Sequence, residues 1–217
     1  MSRYVLWIYL LVSIANLIAK VIPSEELNQY TKPLLMPLLI LYVYKSSLGK
    51  TTARVLILCV ALLFSWLGDV VLMYQEDPTF FMIGIGLFLI AQVTYIFILY
   101  KSTYQKPTLN LLQIAPFIIY AILLFYILIP AGDFTIPIIV YGMVILTMAI
   151  IARLREGHTV QESYKFAFWG SLFFLLSDSI LAINAFYSAI PLAGVWIMST
   201  YCAAQFLLVK GLLKHVE

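Results

Sequence analysis

The sequence predicts an all-α fold: a polytopic membrane helix bundle of eight transmembrane helices, built as two parallel four-helix repeats. Three observations predict it. Of 217 residues, 64% are hydrophobic and 11% charged, and the mean hydropathy is +1.02; a soluble domain carries about 25% charged residues. Apolar runs of membrane-crossing character recur eight times. A short word built around an aspartate occurs twice, in corresponding places of the two halves.

A helix needs about 20 apolar residues to cross the hydrocarbon core. The runs lie near Tyr4–Ile22, Lys32–Tyr44, Ala53–Tyr74, Phe80–Tyr100, Leu109–Ile129, Phe134–Ala152, Tyr164–Tyr187 and Pro191–Leu213. Arg3 followed by an apolar run has the look of a signal peptide. The run is long enough to span and has no small-x-small cleavage site, so it is read as the first span. The second run is short and holds Pro33 and Pro37, which predicts an irregular or tilted start. Short connections favour sequential antiparallel neighbours. The whole is read as a single transmembrane domain, 1–217, with repeat halves of about 1–106 and 107–217.

Charge sets the expected orientation. Arg3, Lys45, Lys50, Arg54, Lys101, Lys106, Arg153, Arg155, Lys165, Lys210 and Lys214 fall at the termini or in the even-numbered loops. Lys20 and Lys32 fall on the other side, with Glu25, Glu26, Glu76, Asp77 and Asp133. The positive-inside rule then puts both termini in the cytoplasm. The expected setting is a cell membrane, the inner membrane of a bacterium. Tyr4, Trp7, Tyr42, Tyr44, Tyr74, Tyr100, Tyr164 and Tyr187 lie near span ends and suit an interfacial belt. No basic stripe supports nucleic-acid binding. Cys59 and Cys202 sit in apolar segments and read as small buried residues rather than a disulfide.

The repeated words are Phe64-Ser65-Trp66-Leu67-Gly68-Asp69 and Phe173-Phe174-Leu175-Leu176-Ser177-Asp178. A carboxylate in hydrocarbon costs on the order of 3 kcal/mol by insertion scales, so an intramembrane Asp is a functional candidate. The bland alternative is a helix-to-helix hydrogen bond, with Ser65 one turn from Asp69 as a local partner. Ala91-Gln92 and Ala204-Gln205 extend the repeat, with Phe88 and Tyr201 one turn earlier; Pro33 and Pro137 are a weaker echo. Four spans per copy insert both copies the same way, with a pseudo-twofold axis along the membrane normal. Such an axis sets Asp69 and Asp178 on opposite sides of one cavity. At about 1.5 Å per residue, Asp69 lies about 8 Å and Asp178 about 14 Å from the outer ends of their spans. Tyr201 lies at about 15 Å, and Gln92 and Gln205 at about 18 to 21 Å. Lys20 and Lys32 stand at the outer mouth.

Two carboxyls facing one low-dielectric cavity cannot both ionise easily. The pair thereby offers an acid and a base at one pH. Other chemistries fail on residue type. His158 and His215 fall in a loop and the C-terminal tail, so no intramembrane histidine metal site can be built. Gly68-Asp69 is half of an intramembrane aspartyl protease motif whose other half is absent. Gly84 and Gly86 suit close helix packing.

The sequence resembles the lysoplasmalogenase (YhhN-like) multispan proteins along almost its whole length. The matching pieces are Lys32-Pro33-Leu34, Leu67-Gly68-Asp69, Phe81 to Tyr95, Ser177-Asp178 and Met198-Ser199-Thr200-Tyr201-Cys202-Ala203-Ala204-Gln205. One departure stands out: the family commonly has His where this chain has Gln92. The resemblance implies hydrolysis of the vinyl ether bond of lysoplasmalogens to a fatty aldehyde and a glycerophospho-base. Asp69 and Asp178 would be the catalytic pair, and no metal, nucleophile or organic cofactor is required. Lys32, Lys20, Tyr201, Gln205, Gln92, Tyr95 and Ser65 are the candidate substrate-binding residues. The partners are then a lysophospholipid substrate and membrane lipids, with the oligomeric state open. Trp66, Phe174 and Tyr201 are the candidates for excluding a second acyl chain. The rival reading is a small proton-coupled transporter or lipid carrier that uses the same carboxylates.

Overall fold

Uninterrupted apolar runs leave the backbone no solvent for its polar groups, and helices satisfy those groups internally. The computed structural model describes residues 2–47, 52–74, 76–106, 108–128, 132 and 134–216. Among the described residues eight α-helices follow in order: α1 (Ser2–Val21), α2 (Glu25–Ser46), α3 (Ala53–Val71), α4 (Pro78–Lys101), α5 (Leu111–Leu128), α6 (Thr135–Leu154), α7 (Gln161–Phe186) and α8 (Ala193–Val216). A 3-10 turn, Leu72–Tyr74, finishes α3. No strand occurs among the described residues. Seven of the helices are long and apolar enough to cross a membrane. The exception is α2, whose first turns carry Glu25, Glu26, Asn28, Gln29 and Lys32. The chain is a multi-pass membrane protein. Lys50, Asp133 and Ile129, used above for charge and span limits, lie outside the described residues.

The start of α2 differs from expectation. The helix begins at Glu25, seven residues before Lys32, and runs through Pro33 and Pro37. Ser24 caps it, its side chain accepting from the Leu27 N–H at 3.3 Å, and Glu25 and Glu26 favour the positive end of the helix dipole. Pro37 has no N–H for the carbonyl one turn back, that of Pro33. The Trp66 indole N–H supplies the missing donor at 2.8 Å, which ties α2 to α3.

The chain divides into two compact units, one built mainly from residues 1–98 and the other from residues 99–215. In the first, the buried Asn16 on α1 donates to Thr31 Oγ1 at 2.9 Å and Asn28 Oδ1 at 3.2 Å on α2. Gly68 presents bare backbone to the Phe88 ring, and a Cβ there would lie 2.7 Å from it. Gly84 does the same for Leu72, at 2.5 Å. Gly86 departs from expectation: a Cβ there would meet nothing within 4 Å, so close packing does not explain it.

In the second unit, α7 and α8 cross at two glycines used reciprocally. A Cβ on Gly170 would lie 2.8 Å from the Leu208 nitrogen, and one on Gly211 would lie 2.6 Å from the Ala167 nitrogen. Small residues let helix backbones approach where lipid gives no hydrophobic driving force. Beside this crossing, Arg155 is fully buried at the end of α6. It donates to the Ser102 carbonyl at 3.1 Å and to Ser163 Oγ at 2.9 Å. Burial pushes its pKa down to about 10, which leaves it charged at neutral pH. His215 is not a free tail residue: its Nδ1 lies 2.8 Å from Thr159 Oγ1 and its ring 5.3 Å from that of Tyr104.

Candidate active site

Each aspartate of the repeated words has a polar partner on the second helix of its own half, an ion pair for Asp69 and a hydrogen bond for Asp178. In the first unit, Asp69 is 3% exposed, and Lys32 Nζ stands 4.0 Å from its Oδ1. Lys32 reaches it because α2 is pinned one residue away by the Trp66–Pro33 bond. Lys32 therefore meets a carboxyl, whereas the sequence had set it at an open mouth. Ser65, one turn before Asp69, is fully buried.

Lys20 lies close enough to feel the charge of Lys32. It lines a cleft of about 540 Å3 together with Glu25, Glu76, Asp77, Asn28 and Gln29. Three carboxylates share that cleft with the ammonium, a mixed surface rather than a dedicated phosphate seat.

Gln92 lies on α4 one turn after Phe88, hence on the face that meets Gly68. It is fully buried, and neither its amide nitrogen nor its amide oxygen has a hydrogen-bond partner among the described residues. A buried amide without partners costs about 1–3 kcal/mol, so Gln92 is an expensive residue to bury. Tyr95, one turn further, is also fully buried.

In the second unit, the Tyr141 hydroxyl donates to Asp178 Oδ2. A cavity of about 30 Å3 beside the pair is lined by Tyr141, Asp178, Ser179 and apolar side chains such as Phe125 and Ile145. That is space on the scale of one water molecule. Ser177 Oγ donates to the Ile197 carbonyl of α8 at 3.0 Å. Tyr201 packs edge-on against Phe174 with ring centroids 5.5 Å apart, and its hydroxyl accepts from Gln205 Nε2 at 3.2 Å. The structure thus joins Asp69 with Lys32, and Tyr201 with Gln205. No group of three or more His, Cys, Asp and Glu side chains is gathered for a metal among the described residues. Cys59 is half-buried and Cys202 buried, each within its apolar helix.

Sequence reasoning missed Tyr141. Its signal was available: it lies exactly as far before Asp178 as Lys32 lies before Asp69, 37 residues. Pro137 drew attention as the echo of Pro33 and masked that register. Tyr120 was missed too; its hydroxyl donates to Ser179 Oγ at 2.7 Å, beside Asp178.

With this geometry in place, relatives carry weight. A model of the YhhN family matches residues 27–212. The chain belongs to the YhhN family. The matched stretch takes in every candidate site residue except Lys20. Among curated relatives, the lysoplasmalogenase TMEM86B of Homo sapiens is 30% identical over 198 residues, 89% of this YhhN chain and 80% of the human protein. TMEM86B of Rattus norvegicus is 31% identical over 154 residues, 71% of this chain and 60% of the rat protein. The lysoplasmalogenase TMEM86A of Homo sapiens is 34% identical over 163 residues, 73% of this chain and 65% of that protein. The chain therefore spans about three fifths of the rat relative's length. No solved structure matches it.

Proposed function

We propose that this YhhN protein is a membrane hydrolase that cleaves the vinyl ether bond of lysoplasmalogens, with Asp69 and Asp178 as its acid–base pair. The observation that carries the reading is the repeated one: two intramembrane carboxyls, one ion-paired with Lys32 and one hydrogen-bonded by Tyr141, each partner on the second helix of its half. The names of the curated relatives support the substrate class.

The chemistry is short. A proton adds to the vinyl carbon that does not bear the oxygen, and the remaining cation is shared between carbon and ether oxygen. Water attacks that carbon, giving a hemiacetal. Loss of the glyceryl oxygen, which takes up a proton, leaves a fatty aldehyde and a glycerophospho-base; one water is consumed. One carboxyl supplies the first proton, and the other stands as the anion beside the cation and takes a proton from water. The water-sized cavity beside Asp178 supports a seat for that water. Gln92, with both amide atoms unpartnered, is proposed to orient the glyceryl part of the substrate. Ser65 and Tyr95 are proposed to shape the polar surroundings of Asp69, and Tyr201 and Gln205 those of Asp178, with Lys32 acting on the Asp69 carboxyl. The proposed setting is a bacterial inner membrane with both termini in the cytoplasm, supported by the split of lysines and arginines.

Mass spectrometry of products from three lipids in one detergent tests the reading. Purified protein is expected to release aldehyde from a lysoplasmalogen, far less from the two-chained alkenyl-acyl plasmalogen, and none from a saturated alkyl ether. Cleavage of the alkyl ether would refute vinyl protonation. Activity only across a sealed bilayer, without product chemistry, would favour a carrier.

A further inference from the structure

Resting on the hydrolase reading, we propose that a slot between the N-terminal halves of α5 and α7 holds the hydrocarbon chain of the single-tailed substrate. The ether end of that chain points past Tyr120 and Ser179 toward Asp178.

The slot follows from uneven packing. The C-terminal half of α5 is joined to its neighbours through a core of Leu124, Leu128 and Ile138, against which Ala182 and Ile183 of α7 pack. Toward their N-terminal halves the two helices part around a cavity of about 590 Å3. That volume lies within the roughly 300–1,000 Å3 range of ligand pockets. Leu112, Pro116 and Phe117 of α5 face Phe168, Leu172 and Leu176 of α7 across it. From Leu112 to Tyr120, and from Phe168 to Leu176, the helical rise gives about 12 Å of apolar wall.

The two ends differ in chemistry. At one end stands Arg153, whose guanidinium donates to Glu156 and, at 2.9 Å, to the Tyr164 hydroxyl, and lies 5.8 Å from the centre of the Phe168 ring. Its charge is already paired with Glu156 and its N–H groups engaged by Glu156 and Tyr164. At the other end the Tyr120 hydroxyl donates to Ser179 Oγ at 2.7 Å. Ser179 also lines the water-sized cavity with Tyr141 and Asp178. One hydrogen-bonded pair therefore separates an apolar channel from the carboxyl proposed to act on the lipid. An occupant that is apolar over its length and reactive at the end nearest Asp178 fits this order; a head group on Arg153 does not. The axial rise from Tyr141 to Arg153 on α6 is about 18 Å, too far for a phosphate and the ether bond of the same lysolipid.

Two measurements test the slot. A saturated alkyl-ether lysophospholipid with a diazirine at the end of its chain is photolysed with the purified wild-type protein. The label is expected on peptides covering 112–120 or 168–176, displaced by the unlabelled alkyl lysolipid and not by a diacyl phospholipid. Label elsewhere, or equal displacement by the diacyl lipid, overturns the proposal and marks the groove as a surface for bulk lipid. The second measurement compares long-chain with short-chain lysoplasmalogens. Leu172→Trp is expected to lower the long-chain to short-chain ratio of kcat/KM on the order of tenfold against wild type. An unchanged ratio overturns the proposal. If the wild type releases no aldehyde from any chain length, the hydrolase reading fails, and the photolabel still decides the slot.

Discussion

Tyr141 donates its hydroxyl to Asp178 from 37 residues upstream, the separation at which Lys32 meets Asp69. In each half the second helix thus sets a polar group beside the carboxyl of the third. The donors differ, an ammonium in one half and a phenol in the other, so the two carboxyls sit in chemically distinct settings.

Removing either donor is expected to weaken turnover without unfolding the chain. Tyr141→Phe keeps the ring and loses the bond to Asp178; Lys32→Met keeps the stem and loses the charge beside Asp69. Each is predicted to lower kcat by about 10- to 100-fold, the scale of a positioning or charge-stabilising contact. Steady-state kinetics on protein that elutes as wild type in detergent checks this. A kcat within twofold of wild type, by the same order-of-magnitude standard, would detach that donor from the chemistry.

Much of this arrangement was legible in the sequence. The helical class and the membrane setting follow from the apolar runs, and the two aspartates stand out because hydrocarbon penalises charge. The partners of those aspartates were less legible. Lys32 read as a mouth residue because Pro33 and Pro37 argued against helix before it. The structure resolves this through Trp66, which satisfies the carbonyl that Pro37 leaves open. Tyr141 lies in the body of an apolar span, where an aromatic side chain reads as packing; only its hydroxyl and the repeat register mark it. Whether a Gly serves packing is equally silent in sequence: a Cβ on Gly84 would collide with Leu72, whereas one on Gly86 would meet nothing within 4 Å.

Arg155 makes a structural prediction separate from catalysis. Arg155→Ala would strip donors from the Ser102 carbonyl and Ser163 Oγ and leave a cavity where a fully buried side chain stood. A loss of roughly 2–4 kcal/mol is expected. Thermal unfolding in one detergent should show a lower midpoint, with aldehyde release per folded molecule retained below it. An unchanged midpoint would show that the buried guanidinium does not support the fold.

Because the proposed steps move protons only, metal chelation is expected to leave the rate unchanged. Incubation with EDTA, then removal of the chelator and assay, checks this. Loss of activity that zinc restores would contradict the metal-free chemistry.

The split of basic residues predicts that reporters fused after Glu26 and after Lys50 lie on opposite sides of the membrane. Lys50 is expected on the cytoplasmic side with both termini. The same signal from both fusions would overturn the topology and, with it, the outer placement of the acidic loops.

The most direct test of the central claim is aldehyde release by wild-type protein, Asp69→Asn and Asp178→Asn, purified in one detergent and matched for folded content. Asn keeps the size of the side chain and most of its hydrogen bonding, while it can neither give nor hold the catalytic proton. Each substitution is predicted to reduce turnover by about 100-fold or more, the scale of a lost general acid or base. Near-normal turnover by either folded variant would remove that aspartate from the mechanism and contradict the two-carboxyl account.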